Sequence, residues 1–194
     1  MNEFSYPMLY LWRREQADSG GPGRFRGGLG GSSAFVIHDS PAPAVALVVS
    51  GGGKALPQSS GLSGGYPANT QYDLAIRGSN VRELIAQGVL VTDLEQIEGE
   101  REPMPPHLES MLGRDDVYFL AWQGGGGYGD PVHREPDAVA FDVRAGKVTP
   151  SAAFDVYGVV LADDGTPDGE ATRRRRRAIR LERAAEAEQQ EVAG

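Results

Sequence analysis

The sequence predicts an α+β chain: a mainly antiparallel β-sheet with glycine-rich loops, and helices gathered toward the C-terminus. Three observations predict it. Short apolar runs with a two-residue period fill the first two-thirds, compact glycine clusters punctuate them, and helix caps with a charged helical pattern occupy the last third. Hydrophobic residues make up 40%, enough to form a core, while 27 of 194 residues are glycine. That is about twice the usual share of roughly 7%. Ordering a glycine costs more backbone entropy than ordering any other residue, so clusters of this density imply positive φ or close approach of backbones.

Residues 4–12 fit a strand with Tyr6, Met8, Tyr10 and Trp12 on one face, and Pro7 points to an edge position or a strand start. A glycine-rich loop over 18–31 leads to a second strand at 33–38. A third, Val-rich and buried, is expected at 44–49. Glycines at 51–53 and 61–65 read as wide turns. Residues 80–87 predict a short helix, capped by Asn80, with Glu83 at the capping-box position and Gly88 at its end. Residues 98–106 are charged and proline-rich, an exposed loop by composition. Residues 117–122 form a strand that feeds into four glycines.

Beyond it, 135–145 reads as a helix with Pro136 in its first turn and Gly146 after its end. Thr149-Pro150 opens another as N-cap and first helical residue. Residues 157–161 look strand-like, Asp163-Asp164-Gly165 is a turn, and a helical tail runs from Asp168 to about Gln190.

Composition narrows function. The net charge of −8 and pI near 4.9 argue against a nucleic-acid-binding body. The absence of cysteine removes disulfides, thiol nucleophiles and zinc–thiolate sites. No basic leader or 20-residue apolar run is visible, so a cytoplasmic protein is expected. Gly51-Gly52-Gly53-Lys54 resembles part of a phosphate-binding loop. However, Val48 stands where its leading glycine belongs and Ala55 replaces the magnesium-binding hydroxyl. Dinucleotide fingerprints fail at Arg26 and at Ser33. His38, His107 and His133 show no ligand spacing, and Ser19 lacks the surroundings of a nucleophile elbow. Seven Arg and four Glu between 173 and 194 leave that stretch at +3 and the rest at −11. This asymmetry suits a helix docking on an acidic partner or on the chain's own body, although the five arginines at 173–177 also fit a nucleic-acid patch.

Three stretches in order carry a resemblance. The first is Asp18-Ser19-Gly20-Gly21-Pro22-Gly23-Arg24-Phe25-Arg26-Gly27-Gly28-Leu29-Gly30. The second is Gly124-Gly125-Gly126-Gly127-Tyr128-Gly129-Asp130-Pro131 with Arg134. The third runs from Ala153 to Leu161, with Tyr157-Gly158-Val159-Val160-Leu161, followed by Asp168 and Ala171-Thr172 ahead of the arginines. Together they resemble the C-terminal region of the hydantoinase B/oxoprolinase family, which includes N-methylhydantoinase B subunits and the large subunits of acetone and acetophenone carboxylases. The similarity runs from near Tyr6 to about Arg177, more loosely over 40–113. The organisation expected is a hydantoinase B-like C-terminal domain at 1–177 and a charged helical tail at 178–194.

The resemblance implies a mechanism shared between polypeptides. A hydantoinase A-type partner uses ATP to phosphorylate a carbonyl oxygen, and the B-type subunit hydrolyses the activated amide or carboxylates the activated ketone. Metal-binding residues of B-type subunits lie mainly in their longer N-terminal portion, whereas this chain begins almost at its Asp18-Ser19-Gly20-Gly21 motif. ATP and a divalent metal are therefore expected on partner subunits, hydantoinase A-like and truncated hydantoinase B-like, in a hetero-oligomer without nucleic acid or membrane. The chain is expected to be a split-gene subunit or a truncated relic. Asp18, Ser19, Arg24, Arg26, Tyr128 and Asp130 are the expected substrate- or intermediate-lining residues. Gly20, Gly21, Gly23, Gly27, Gly28, Gly124, Gly125, Gly126, Gly127 and Gly129 are expected to shape the loops. No nucleophile, base or metal ligand is assigned. An assembly module without groups near the chemistry is the alternative, with a nucleic-acid binder behind it.

Overall fold

A computed structural model of the chain describes residue 3 and residues 6–193, with side chains through residue 189. The chain forms two compact units. The first comprises Met1–Gln16, Gly30–Gln58 and Asn69–Gln123; the second comprises Ala17–Leu29, Ser59–Ala68 and Gly124–Gly194.

The first unit is built on an antiparallel sheet of five strands. Its strands are β1 (Met8–Glu15), β2 (Gly31–Ile37), β4 (Tyr72–Arg77), β5 (Glu100–Pro103) and β7 (Val117–Ala121), in the spatial order β1-β2-β7-β4-β5. A separate ribbon pairs β3 (Ala44–Ser50) with β6 (His107–Gly113). Successive side chains alternate across the sheet, so it feeds two cores. On one face Trp12, Ala34, Val36, Leu74, Ile76, Val117 and Phe119 pack with Val81 of the short helix α1 (Val81–Ala86) and with Val91 and Ile97. On the other, Ile37, Ala75 and Tyr118 pack with Val49, Leu112 and Met104.

The observed strands correct several expectations. Phe4 lies outside the described residues, and β1 begins only at Met8, after Pro7, as an edge strand. A bulge between Tyr10 and Trp12 makes Leu11 the extra residue. The register therefore flips, and Trp12 joins Phe119 on one face while Tyr10 meets Phe35. The third strand is only half-buried: Val49 points inward and Val48 is 67% exposed, because a two-stranded ribbon covers one face alone. Residues 100–103 form a strand rather than a loop. Asn80 does not cap α1; its side-chain oxygen accepts the Glu98 N–H at 3.0 Å.

β4 has no clear strand pattern in the sequence, although it sits inside the sheet. Its pattern is interrupted by Asp73, which is 1% exposed. Lys54 Nζ lies 2.6 Å from that carboxylate and donates to the carbonyls of Met104 and Pro105. Gln71 Nε2 donates to Asp73 at 3.1 Å. Burial, with the Asp73 charge and hydrogen bond added, pushes the Tyr118 phenol well above its ordinary range. The lysine of the glycine-lysine stretch thus neutralises a buried acid instead of presenting its charge to a phosphate.

The helices of the second unit are α2 (Pro136–Arg144), α3 (Pro150–Asp155) and α4 (Gly169–Ala193). Their starts follow the expected capping chemistry. Pro136 and Pro150 occupy first turns, where a missing N–H costs nothing, and Thr149 Oγ1 accepts the Ala152 N–H at 3.2 Å. Asp168 Oδ1 accepts the N–H groups of Glu170 and Ala171, both at 2.9 Å. Val139, Val148, Ala153, Tyr157 and Val159 form the core. Residues 157–161 form no strand; only Leu161 makes an isolated bridge, to Pro167. Gly158, at φ 62°, turns the chain there, and a Cβ on it would press on Arg176 and Ile179 of α4.

Replacing Lys54 by Met should leave Asp73 buried without its counter-charge and lower the unfolding free energy by about 3–5 kcal/mol. Urea denaturation is the measurement; unchanged stability would show the pair to be dispensable.

Candidate functional site

In the second unit three glycine-bearing segments, 17–29, 59–68 and 124–130, lie against one another and bond backbone to backbone. Gly21 N–H donates to Gly125 O at 2.8 Å, and Gly125 N–H to Gly28 O at 2.9 Å. Gly127 N–H donates to Tyr66 O at 2.9 Å, Tyr66 N–H to Pro22 O at 2.8 Å, and Leu62 N–H to Gly127 O at 2.9 Å. Phe25 and Tyr128 exchange a pair of bonds, each 2.9 Å. Because the backbones touch, a methyl group at most of these glycines would enter a neighbouring peptide. A Cβ on Gly23 would lie 2.6 Å from Tyr128 N, and Cβ atoms on Gly20, Gly21, Gly27, Gly124, Gly126 and Gly127 would collide with backbone oxygens. A Cβ on Gly28 would face open space, and one on Gly125 would come no closer than 3.3 Å, to the Gly28 nitrogen, so these two are held less tightly than the rest. Gly129 has a different reason: φ is 73°.

The six expected lining residues divide into two groups. Ser19 is 1% exposed within the glycine assembly. Arg26 does not project into a pocket. Its Nε and Nη2 reach the two oxygens of Asp142 on α2, at 3.1 and 3.3 Å, and its Nη1 donates to Gly27 O at 2.6 Å. Arg134 Nη2 joins the same carboxylate at 2.8 Å. Asp142, which the sequence analysis did not single out, is therefore the anion between two guanidinium groups. Only its place on the helix after the Asp130-Pro131 motif could have drawn attention to it. Asp130 accepts the Val132 N–H at 2.9 Å and Arg183 Nη1 at 3.1 Å. Burial alone would raise its carboxyl; the Val132 N–H and Arg183 outweigh burial and hold it below the ordinary carboxylate range.

Asp18, Arg24 and Tyr128 remain at the surface. Asp18 takes φ 59°, and its Oδ1 accepts the Thr149 N–H at 3.0 Å, locking the glycine loop to the start of α3. It lines a cleft of about 320 Å³ together with Gly20, Pro22, Thr149, Ser151 and Tyr157. Burial raises the Tyr157 phenol to about 12, so it stays protonated at neutral pH. Arg24 lies over the Phe25 ring at 5.6 Å, and Phe25 and Tyr128 have ring centroids 6.3 Å apart. The cleft thus offers a carboxylate, hydroxyls and an apolar wall, suited to holding a small polar molecule and without a nucleophile–base pair.

The hydantoinase B/oxoprolinase family profile matches residues 1–131, most of the chain. The chain belongs to the hydantoinase B/oxoprolinase family. It is 35% identical to the acetone carboxylase alpha subunit of Xanthobacter autotrophicus over 177 residues, which covers 82% of this chain and 22% of that subunit. A nucleotide-free acetone carboxylase structure superposes with a TM-score of 0.80 at 34% identity, covering 94% of this chain and 26% of that one. The ATP-dependent caprolactamase of Pseudomonas jessenii superposes with a TM-score of 0.60 at 29% identity, over 90% of this chain and 27% of that one. This hydantoinase B-like chain therefore spans about a quarter of the length of the relatives it matches, and it is homologous to subunits of ATP-dependent carboxylase and lactamase enzymes.

The hydantoinase B-like glycine assembly makes a sharp contrast testable. Gly27→Ala should destabilise the chain by at least about 2 kcal/mol through overpacking, while Gly28→Ala should change stability by no more than about 0.5 kcal/mol. Thermal denaturation of both variants checks this. For the Asp130–Arg183 pair the sign is fixed by a depressed carboxyl: its stabilisation is present above the unfolded-state value near 3.9 and is lost as pH falls through the lower folded-state value. Wild type should exceed Asp130→Asn by less than about 1 kcal/mol at pH 7, and the gap should close below roughly pH 4.

Proposed function

We propose that this chain is a small subunit of an ATP-dependent complex that carboxylates a ketone or opens a cyclic amide, and that it completes a B-type subunit carried on a second polypeptide. One observation carries the proposal: 94% of the chain superposes on a part that makes up only 26% of an acetone carboxylase chain. A unit of that kind has its chemistry distributed over the remainder of the assembly.

The divalent metal and ATP are assigned to the partners, a hydantoinase A-like and a truncated hydantoinase B-like subunit. Among the described residues, no three His, Asp or Glu side chains are grouped so as to hold a metal ion. The chain's own contribution is a stiff wall built of touching backbones, with Asp18, Arg24 and Tyr128 facing outward from it. No described helix is long and apolar enough to cross a membrane, and we place the complex in the cytoplasm.

A scaffold role without groups near the chemistry is favoured by the engagement of Arg26 and Asp130 inside the unit. The arginine run is likewise engaged. Arg174 pairs with Glu170, Arg175 lies 4.7 Å from the Phe154 ring centroid and pairs with Glu182, and Arg176 donates to the Tyr157 carbonyl. Arg175 and Arg176 are thus partly buried against the unit, while Arg173, Arg174 and Arg177 stay exposed.

A tagged chain should co-purify with both partner types, and ATP-dependent turnover should disappear when this chain is omitted and return when it is added back. A stable monomer that leaves turnover unaltered would end the proposal. In the assembled complex, Arg24→Ala separates the two roles. A drop in turnover of about tenfold or more with assembly intact places Arg24 at the chemistry, and unchanged turnover makes the chain a scaffold.

A further inference from the structure

The arginines of α4 fall into two groups by the face they occupy. One face docks on the helix's own unit. Thr172 and Ile179 are buried there, and Thr172 Oγ1 accepts the Val160 N–H at 3.0 Å. Arg176 donates to the Tyr157 carbonyl at 3.1 Å, and Arg183 reaches Asp130. Positions 172, 176, 179 and 183 recur every three or four residues, so they form a single stripe along the helix.

Arg173, Arg177 and Arg180 recur at the same spacing on the neighbouring flank, and all three are exposed. Among the described residues none of them has a carboxylate within ion-pair distance, whereas Arg174 pairs with Glu170 and Arg175 with Glu182. Like charges four residues apart weaken a helix, as Arg173 does with Arg177 and Arg176 with Arg180. Burial first, and then the Arg180 charge, lowers the Arg176 guanidinium. The row continues as Ala184 and Ala187, both exposed, with Leu181 exposed beside it. Steps along 173, 177, 180, 184 and 187 alternate four and three. That is the seam period by which one helix packs along another.

We infer that this flank of α4 docks an acidic, amphipathic helix of a partner subunit. Carboxylates of that helix, three and four residues apart, meet Arg173, Arg177 and Arg180, and its apolar side chains lie against Leu181, Ala184 and Ala187. The occupant follows from charge complementarity and spacing. Guanidinium forks match carboxylates, and from Arg173 to Arg180 the row runs about 10 Å along the axis, as do acidic residues at i, i+4 and i+7 of a facing helix. The two alanines leave room for a second backbone to approach. A nucleic-acid strand would use the arginines but has no need of the seam period or the alanines, and its many phosphates would face the −11 carried by the rest of the chain. The docking surface rests on the subunit proposal and adds the place where a partner is held.

The test uses the full chain in the assembled complex, with affinity measured at low and high salt. Arg177→Glu should weaken assembly by about tenfold or more, and its salt dependence should be flatter than that of the wild type. Arg177→Lys, which keeps the charge, should stay within roughly threefold of wild type. Arg144→Glu makes the same charge change at an exposed position of α2 and should leave assembly unchanged. A photo-crosslinking benzoylphenylalanine in place of Glu188, beside the seam, should join a partner helix with Asp or Glu at three- and four-residue spacing. Should Arg177→Glu fail to fold by thermal denaturation, the cross-link alone decides. A complex that tolerates Arg177→Glu, or a cross-link to a segment without that acidic pattern, overturns the docking inference and leaves the subunit proposal standing. Failure of the wild-type chain to form any complex overturns both. Salt-dependent binding to a double-stranded oligonucleotide that Arg177→Glu abolishes would name nucleic acid as the occupant, and a cross-link between two copies of this chain would name a second copy; either overturns the inference.

Discussion

Direct contact between backbones, with no side chains in between, is the constraint on which the second unit depends. Three segments far apart in sequence, 17–29, 59–68 and 124–130, satisfy their peptide groups on one another. Peptide groups removed from water must find partners, and here each segment supplies them to the next. Such closeness is possible only without Cβ atoms, which is why the glycines gather in runs instead of scattering through turns. The positions of Asp18 and Asp130 follow from it, since each leaves the glycine layer to be fixed by another element: Asp18 by the start of α3, Asp130 by Arg183 of α4.

The charges show how geometry redirects residues that chemistry alone would nominate for catalysis. Arginines beside glycine loops suggest anion binding, and Arg26 does bind an anion, the Asp142 carboxylate of its own unit. Lys54 follows three glycines as in a phosphate loop, yet its ammonium serves Asp73. In both cases a buried carboxylate needed a counter-charge, and the nearest cation was recruited to supply it. Groups left facing outward, Arg24 and Tyr128 among them, are those that a partner or a bound molecule can meet.

Much of this was legible from residues alone. The caps at Pro136 and Thr149-Pro150, the edge character of β1, and the strands around Ala34 and Phe119 follow from local chemistry that tertiary packing did not override. The strand at Tyr72–Arg77 was hidden because a buried Asp73 breaks the alternation by which strands are read. Trp12 was placed on the wrong face because a bulge is set by pairing with a neighbour and leaves no local mark. The strand-like pattern at 157–161 reflects burial against helices, which favours apolar residues without any ladder. At the site, the glycines could be seen but their partners could not. Spacing does not tell Gly27, wedged against Gly125, from Gly28, where an added Cβ would meet only open space.

The separation of the glycine segments along the chain also bears on how the protein is made. Some 95 residues lie between the end of the first segment and the start of the third. At synthesis rates of about 5–20 residues per second, the first waits on the order of ten seconds for its counterpart to leave the ribosome. During that interval its amide groups have only water to bond, and glycine offers no local conformation to retreat into. Assembly of this layer is thus a late, long-range event in biogenesis, and chaperone contact with the nascent chain has its natural window there.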